Sequence, residues 1–286
     1  SGVKDITCAF KYNASAPVWG PESDEIYFSA LAEGIQGIFR ARCTVPDGQA
    51  DGGVPGQGAE NASWDIERIT GEDLWYDFNS PFHISENDGV TTLLADYSSM
   101  DFPTELVSIR IGDKAGTPDG GTIAAAPLEV SHSTPLPAEC KVTPEPVHIC
   151  QITHVNDAIL AQLDPVKTEA RYIKTVDGKD MLTWVVYPPH FDSSKEYPSI
   201  LICLGGPQGT LSQGWSYRWN YRLMAAQGYV TVLPNRRGTT AFGQEWTEQI
   251  SGDYPGLNMQ DYLVAARTLK AEPYIGKMAA CGASYG

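Results

Sequence analysis

The sequence predicts two units of different class within its 286 residues: an all-β unit over residues 1–164 and an α/β unit over residues 165–286. Three observations predict this division. A strand pattern that starts near residue 16 returns near residue 80, apolar strands alternate with helical patterns after residue 165, and a Gly-x-Ser-x-Gly motif follows the last apolar run. The first observation indicates a repeat architecture, and the other two indicate a doubly wound sheet with a site at its edge.

Composition narrows the possible partners before any motif is considered. Apolar residues make up 42% of the chain, which is ample for sizeable cores, and no run of about 20 apolar residues predicts a membrane-spanning helix. The formal charge of -15 disfavours nucleic acid and anionic membranes as partners, because both would be repelled. The six cysteines form no C-x-x-C pair and the five histidines show no ligand spacing with them, so we expect neither a metal nor another cofactor.

The all-β unit consists of two similar repeats. Each reads as strand, acidic turn, strand, then a third strand, and each closes on a fourth strand that ends in Ile-Thr. The predicted strands are 16–19, 26–28, 37–43 and 64–70 in the first repeat, and 80–83, 90–94, 104–111 and 147–153 in the second.

Four short strands per repeat are typical of β-propeller blades, so we predict the last blades of a partial β-propeller. Two blades cannot close a ring, and further strands are expected upstream. The alternative is a β-sandwich or meander with accidental similarity. A Gly-rich stretch (45–63) and a Pro-rich stretch (113–146) are interpreted as insertions before the fourth strands. Spacing alone leaves open whether Cys140 pairs with Cys150.

The α/β unit begins with a hairpin and continues as alternating strands and helices. Its predicted elements are strands 169–176 and 180–187 around Asp177-Gly178, a buried strand at 199–204, a helix at 217–227 stopped by Gly228, a strand at 229–233, a helix capped by Asn258, and a buried strand at 277–281. In such a sheet, the loops at the carboxyl ends of the strands carry the site.

The chemistry is predicted at residues 282–286, the Gly-x-Ser-x-Gly motif directly after the last strand. A serine hydroxyl is a weak nucleophile, so a tight turn must present it clear of the backbone and near a base. Ser284 is therefore the candidate nucleophile, and the amide of Tyr285 would face the oxygen that becomes negative during acyl transfer. A backbone amide from the Gly205-Gly206 turn is the candidate second donor.

Charged residues near the predicted site are expected to be structural. Arg236 and Arg237 follow a strand and could meet a substrate, but a salt bridge is the favoured interpretation. Asp253 and Asp261 are interpreted as a loop acid and a helix-cap acid. The five histidines are interpreted as turn or surface residues.

Taken together, four segments resemble the prolyl oligopeptidase family of serine peptidases, and within it the acylaminoacyl peptidase and dipeptidyl peptidase V branch. They are residues 204–207 (Leu-Gly-Gly-Pro), 235–243 (Asn-Arg-Arg-Gly through Phe-Gly), 252–261 and 282–286. The resemblance implies a β-propeller that filters substrates above an α/β-hydrolase domain, of which this chain would hold the N-terminal half up to the nucleophile elbow. By position it implies Ser284 as nucleophile and the amides of Tyr285 and Gly206 as oxyanion hole.

Two departures from the family qualify this expectation. Relatives often carry His or Tyr where this chain has Leu204, so a side-chain oxyanion donor is excluded there and the backbone must serve. In this fold the triad acid and histidine follow the serine, whereas all five histidines here precede Ser284. We therefore expect a fragment, inactive alone, whose triad is completed beyond it.

The functional prediction is a serine peptidase acting on short peptides, with a periplasmic or secreted location, a cytoplasmic one as the alternative, and the oligomeric state open. Two further alternatives are a carboxylesterase-type acyl hydrolase and a non-catalytic propeller binding module.

Overall fold

The computed structural model describes residues 5–22, 24–44, 63–70, 75–112, 141–142 and 145–286, and their strands form three five-stranded sheets. The interpreted insertions lie largely outside these ranges, as does Cys140, so its pairing with Cys150 stays open. No helix in the described ranges has the length and apolar character needed to cross a bilayer.

The first sheet is an antiparallel meander with one added strand. β1 (Ala14–Trp19), β2 (Glu25–Ala32), β3 (Ile35–Thr44) and β4 (Ser63–Arg68) pair in chain order, and β9 (Lys141–Val142) pairs parallel to β4. Aromatic side chains of β2 and β3 close the core, with the rings of Phe28 and Phe39 stacked at 5.7 Å. The four predicted strands of the first repeat are confirmed.

The second sheet repeats this arrangement. β6 (His83–Asn87), β7 (Val90–Ser99), β8 (Phe102–Ile111) and β10 (Val147–Gln151) form the meander, and the short β5 (Asp77–Phe78) pairs with the far end of β7. β6 covers residues 83–87 and not the predicted 80–83. The turn between β6 and β7 consists of only two residues, Asp88 and Gly89, both with positive φ, so the strand continues closer to β7 than predicted. The other three strands lie where the repeat predicted them.

The third sheet is mixed and has the order β11-β12-β14-β13-β15. A short helix α1 (Asp157–Leu160) precedes its strands, which are β11 (Lys167–Lys174), β12 (Asp180–Tyr187), β13 (Tyr197–Cys203), β14 (Val230–Pro234) and β15 (Ile275–Gly282). β11 and β12 form the predicted hairpin, and β13 runs parallel to both β14 and β15. The carboxyl ends of β13, β14 and β15 therefore meet at one edge.

Helices cover both faces of the third sheet, as its alternating side chains require. They are α2 (Tyr221–Ala226), a 3₁₀ turn (Thr240–Phe242), α3 (Gln244–Glu248) and α4 (Leu257–Lys270). Val185 and Leu201 pack in one core with α4, whereas Trp184 and Ile202 pack in the opposite core with α2. The predicted doubly wound arrangement is confirmed.

Three local predictions are wrong. α2 begins only at Tyr221, because the side chain of Asn220 accepts a hydrogen bond from the amide of Leu223 and caps the helix there, which leaves Tyr217 outside it and 83% exposed. Asn258 lies inside α4, whose N-cap is Gly256.

The third error concerns β15, which was predicted to be buried. Ala279 to Gly282 are exposed, because within the described residues β15 pairs only with β13 and forms an edge.

Asp77 joins all three sheets. Its carboxylate accepts hydrogen bonds from the amide of Gln36 at 2.9 Å in the first sheet and from the hydroxyl of Ser212 in the loop after β13. The amides of Gln213 and Gly214 also donate to it. Asp77 as a residue is half-buried, but its carboxylate is enclosed, and this desolvation raises its pKa to about 6 despite the hydrogen bonds.

Asp77→Asn should change how stability depends on pH. The folded carboxyl holds its proton more tightly than the unfolded one, so the wild-type protein gains stability below the unfolded pKa and loses it as pH rises through about 6. Relative to the variant, the wild type should lose about 2 kcal/mol of unfolding free energy between pH 4 and pH 7. Unfolding curves of both proteins across this range measure the difference. The exposed turn variant Asp88→Asn should follow the wild type, and a pH-independent difference for Asp77→Asn would contradict the assignment.

Candidate active site

Ser284 lies on a tight turn at the carboxyl end of β15. Its φ is +60°, in the left-handed region that costs a non-glycine residue free energy, and its side chain is exposed. Cys203 of β13 pairs with Gly282 of β15, so the loop that follows β13 starts beside this turn. The sheet therefore holds the hydroxyl outside the packed core and next to the Gly205-Gly206 segment.

The backbone of β13 passes so close to the Ser284 turn that side chains would not fit. A Cβ on Gly282 would lie 2.6 Å from the carbonyl oxygen of Cys203 and 2.5 Å from the carbonyl carbon of Gly286. A Cβ on Gly286 would also collide with the Cys203 carbonyl. Both glycines of the motif are thus required by contact between backbones.

The segment 204–207 faces the Ser284 turn directly. A Cβ on Gly205 would lie 2.7 Å from the carbonyl oxygen of Ala283 and 3.6 Å from the Cβ of Ser284. Gly206 has a φ of +132°, which side chains rarely adopt, and the Gly206-Pro207 peptide bond is cis. The candidate second amide donor, at Gly206, therefore belongs to a turn in contact with the candidate nucleophile.

Arg236 holds that turn from beneath. Its guanidinium is fully buried and donates to the carbonyl oxygens of Leu204 at 3.0 Å and Pro207 at 2.8 Å. It also donates to the hydroxyl of Tyr262 at 3.1 Å, and that hydroxyl accepts a hydrogen bond from the amide of Leu204 at 2.8 Å. Arg236 thus makes carbonyl contacts rather than the salt bridge that we predicted.

The side chain of Tyr285 is fixed on the same support. Its hydroxyl donates to the carbonyl oxygen of Tyr254 at 2.9 Å and accepts from the side-chain amide of Asn258. Its ring lies 5.2 Å from the guanidinium carbon of Arg236. Asn258, predicted as a helix cap, therefore helps to position the residue whose amide is the first candidate oxyanion donor.

Arg237 makes the predicted salt bridge. It is fully buried and contacts Asp261 of α4 at 2.9 Å and Asp177 of the β11–β12 turn at 2.7 Å. Its hydrogen bonds, with that of Thr175, hold the pKa of Asp177 well below its usual range. Asp261 is thus a buried ion-pair partner, and both residues are structural.

A cavity of about 260 Å³ opens beside Ser284. Its lining residues are Ile202, Cys203, Leu204, Gly205, Arg218, Trp219, Tyr221, Ala283 and Ser284. Burial raises the pKa of the Cys203 thiol, which keeps it protonated at neutral pH and makes it a poor nucleophile. The cavity thus combines an apolar floor, one exposed guanidinium and the exposed serine hydroxyl.

No histidine or carboxylate is among the residues that line this cavity. His154 lies 2.9 Å from Asp157 and His190 lies 3.6 Å from Asp164, and all four side chains are exposed. His83 and His148 lie on β6 and β10, and His132 lies outside the described residues. In the part of the chain that the structure describes, no cluster of three or more His, Cys, Asp or Glu side chains could hold a metal ion.

The class of protein these features define is an α/β protein whose doubly wound sheet presents a serine on a tight turn, beside a glycine turn that can supply amide donors. Residues 215–286 match the model of the prolyl oligopeptidase family. The match agrees with the family resemblance drawn from the sequence motifs, which is confirmed.

Curated relatives bear peptidase names. The chain is 54% identical over 162 residues to dipeptidyl-peptidase 5 of Porphyromonas gingivalis, covering 56% of this chain and 24% of the relative. It is 57% identical over 137 residues to dipeptidyl-peptidase 5 of Porphyromonas endodontalis, covering 47% and 20%. The matched segments thus span about a quarter or less of these relatives' lengths.

Solved structures show the same fold at low identity. The acylaminoacyl peptidase of Pyrococcus horikoshii superposes with a TM-score of 0.66 at 17% identity, covering 99% of this chain and 35% of that one. Dipeptidyl peptidase 4 of Porphyromonas gingivalis gives a TM-score of 0.58 at 18% identity, covering 96% and 32%. The likeness extends across both the all-β and the α/β regions.

Gly282→Ala should disrupt the Ser284 turn. The added methyl group would meet backbone atoms that cannot move aside, so we expect a loss of about 1–3 kcal/mol of stability. The displaced hydroxyl should react with a fluorophosphonate probe roughly 100-fold more slowly. Labelling rates of the full-length protein measure this. Gly252→Ala is the control, because a methyl group added there meets no neighbouring atom, so its only cost comes from the positive φ of Gly252. Equal labelling rates for the two variants would count against the close-contact explanation.

Proposed function

We propose that the protein carrying this chain is a serine peptidase of the dipeptidyl or acylaminoacyl type, which cleaves short peptides through an acyl-enzyme on Ser284. The observation that supports this most is the exposed Ser284 at φ +60°, in contact with the Gly205-Gly206 turn at the carboxyl edge of the sheet. The names of the relatives favour a peptidase over the esterase and binding-module alternatives.

In the proposed mechanism, the Ser284 hydroxyl attacks the peptide carbonyl carbon and passes its proton to a general base. The carbonyl oxygen becomes an oxyanion, which accepts hydrogen bonds from the amides of Tyr285 and Gly206. Collapse expels the protonated amine and leaves an ester on Ser284, and water attack with the same proton transfers then frees the acid. We assign the base and its acid partner to the portion of the relatives' length that this chain does not span.

The three sheets support a proposal of two domains with different roles. We propose that residues 1–164 form the last blades of a β-propeller that limits substrate size, and that residues 165–286 form the N-terminal part of an α/β-hydrolase domain. Two four-stranded meanders lie within the first range and the doubly wound sheet within the second. The likeness to acylaminoacyl peptidase across nearly the whole chain supports this arrangement.

The setting of the reaction belongs to the same proposal. We place the protein in the periplasm or outside the cell, with the cytoplasm as the alternative, and name short peptides as its partners. The family resemblance favours this setting. The charge of -15 favours a partner that is neither nucleic acid nor an anionic membrane.

Ser284→Ala in the full-length protein should remove the reaction. Without the nucleophile, kcat on dipeptidyl and acylaminoacyl p-nitroanilides should fall by roughly 10⁶-fold, and fluorophosphonate labelling should be lost. Ser251→Ala, which alters an exposed serine in the turn after α3, should keep full activity. Hydrolysis of aminoacyl p-nitrophenyl esters without any amide cleavage by the wild type would favour the esterase instead. Unlabelled wild-type Ser284 would rule out both.

A further inference from the structure

Two neighbouring arginines are fully buried in the loop after β14, and their charges are accommodated in different ways. Arg237 lies between the carboxylates of Asp261 and Asp177. Arg236 has no carboxylate within ion-pair distance among the described residues. Its donors instead reach the carbonyls of Leu204, Pro207 and Arg237 and the hydroxyl of Tyr262.

A buried cation without a carboxylate partner is costly unless its N–H groups are hydrogen-bonded. Each of the three guanidinium nitrogens of Arg236 donates to at least one neutral group, and the guanidinium carbon lies 5.2 Å from the Tyr285 ring and 5.7 Å from the Tyr262 ring. The arrangement uses the planar fork of arginine, which a lysine cannot reproduce.

The geometry points to a positioning role for Arg236, which rests on the function proposed above. Its two terminal nitrogens bind the carbonyls of Leu204 and Pro207, the residues on either side of Gly205 and Gly206. The same guanidinium contacts the ring of Tyr285. One side chain thus connects both candidate oxyanion donors. We propose that Arg236 fixes the separation of the Gly206 and Tyr285 amides, and that its uncompensated charge favours negative charge between them.

Such a role predicts a specific kinetic pattern. Interactions that become stronger only in the transition state affect kcat, and they do not affect the binding of substrate or product. Loss of one oxyanion donor typically lowers kcat by about 100-fold to 1,000-fold, so a displaced donor should lower it by roughly 10-fold to 100-fold.

The test uses Arg236→Met and Arg236→Lys in the full-length protein, with active sites counted by fluorophosphonate titration. Both variants should lose roughly 10-fold to 100-fold in kcat per titrated site with KM little changed. A dipeptidyl trifluoromethyl ketone, which forms a tetrahedral adduct, should bind more weakly by the same factor. Product dipeptide should inhibit as in the wild type. Arg236→Lys should not rescue activity, because one ammonium cannot reach both carbonyls.

Arg222→Lys is the matched control. Arg222 also binds two carbonyls through its fork, those of Asp101 at 2.7 Å and Asp164 at 3.1 Å, and lies 3.6 Å from the Asp101 carboxylate. It is not among the residues that line the cavity beside Ser284, and it makes no contact with the carbonyls of the 204–207 turn. This variant should lose stability and keep its kcat per titrated site.

Several results would overturn the inference while leaving the proposed function intact. One such result is an unchanged kcat per titrated site in the Arg236 variants. Another is full activity of Arg236→Lys. A third is that the variants bind the product dipeptide and the trifluoromethyl ketone more weakly by the same factor. Should Arg236→Met fail to fold, Arg236→Lys and Arg236→Gln carry the same comparison. A wild-type protein that neither hydrolyses amides nor is labelled would refute the proposed function itself.

Discussion

The buried contact of Arg237 with Asp261 and Asp177 is the interaction on which the carboxyl edge of the third sheet depends. It joins the loop after β14 to α4 and to the β11–β12 turn, which lie far apart in the sequence. Removing one partner from a buried ion pair typically costs about 3–5 kcal/mol, because the remaining charge is left unpaired. That loop also carries Arg236, which contacts the 204–207 turn. The position of Arg236 beneath the candidate site therefore depends on this ion pair.

The chain order of strands was predictable because it is encoded locally. Strands of the two repeats alternate apolar and polar residues between turn signals, and the apolar run 199–204 predicted a buried strand, found as β13. The Gly-x-Ser-x-Gly motif at 282–286 is equally local, since its glycines meet a backbone that the strand pairing brings alongside. These features could be read from a few consecutive residues.

Two of the errors, at Asn258 and Arg236, have a common cause, which is competition from contacts distant in sequence. Asn258 looks like a helix cap, but its amide serves the hydroxyl of Tyr285, and Gly256 takes the cap. The role of Arg236 was missed because three of its acceptors are carbonyl oxygens, which carry no residue-type signal. The one sequence signal for this role is the pair Arg236-Arg237 directly after a strand, since two adjacent arginines there each need a partner for their charge.

The same reasoning explains where backbone strain is tolerated. Ser284 at φ +60° and Gly206 at φ +132° lie on two turns that touch each other. A strained residue costs about 1–3 kcal/mol and persists only when its surroundings determine its conformation. The surroundings here are β13 packed against the Ser284 turn and the Arg236 fork beneath the Gly206 turn. Neither Ser284 nor Gly206 makes these supports itself, so contacts with the buried core keep the serine and its neighbouring amides in place.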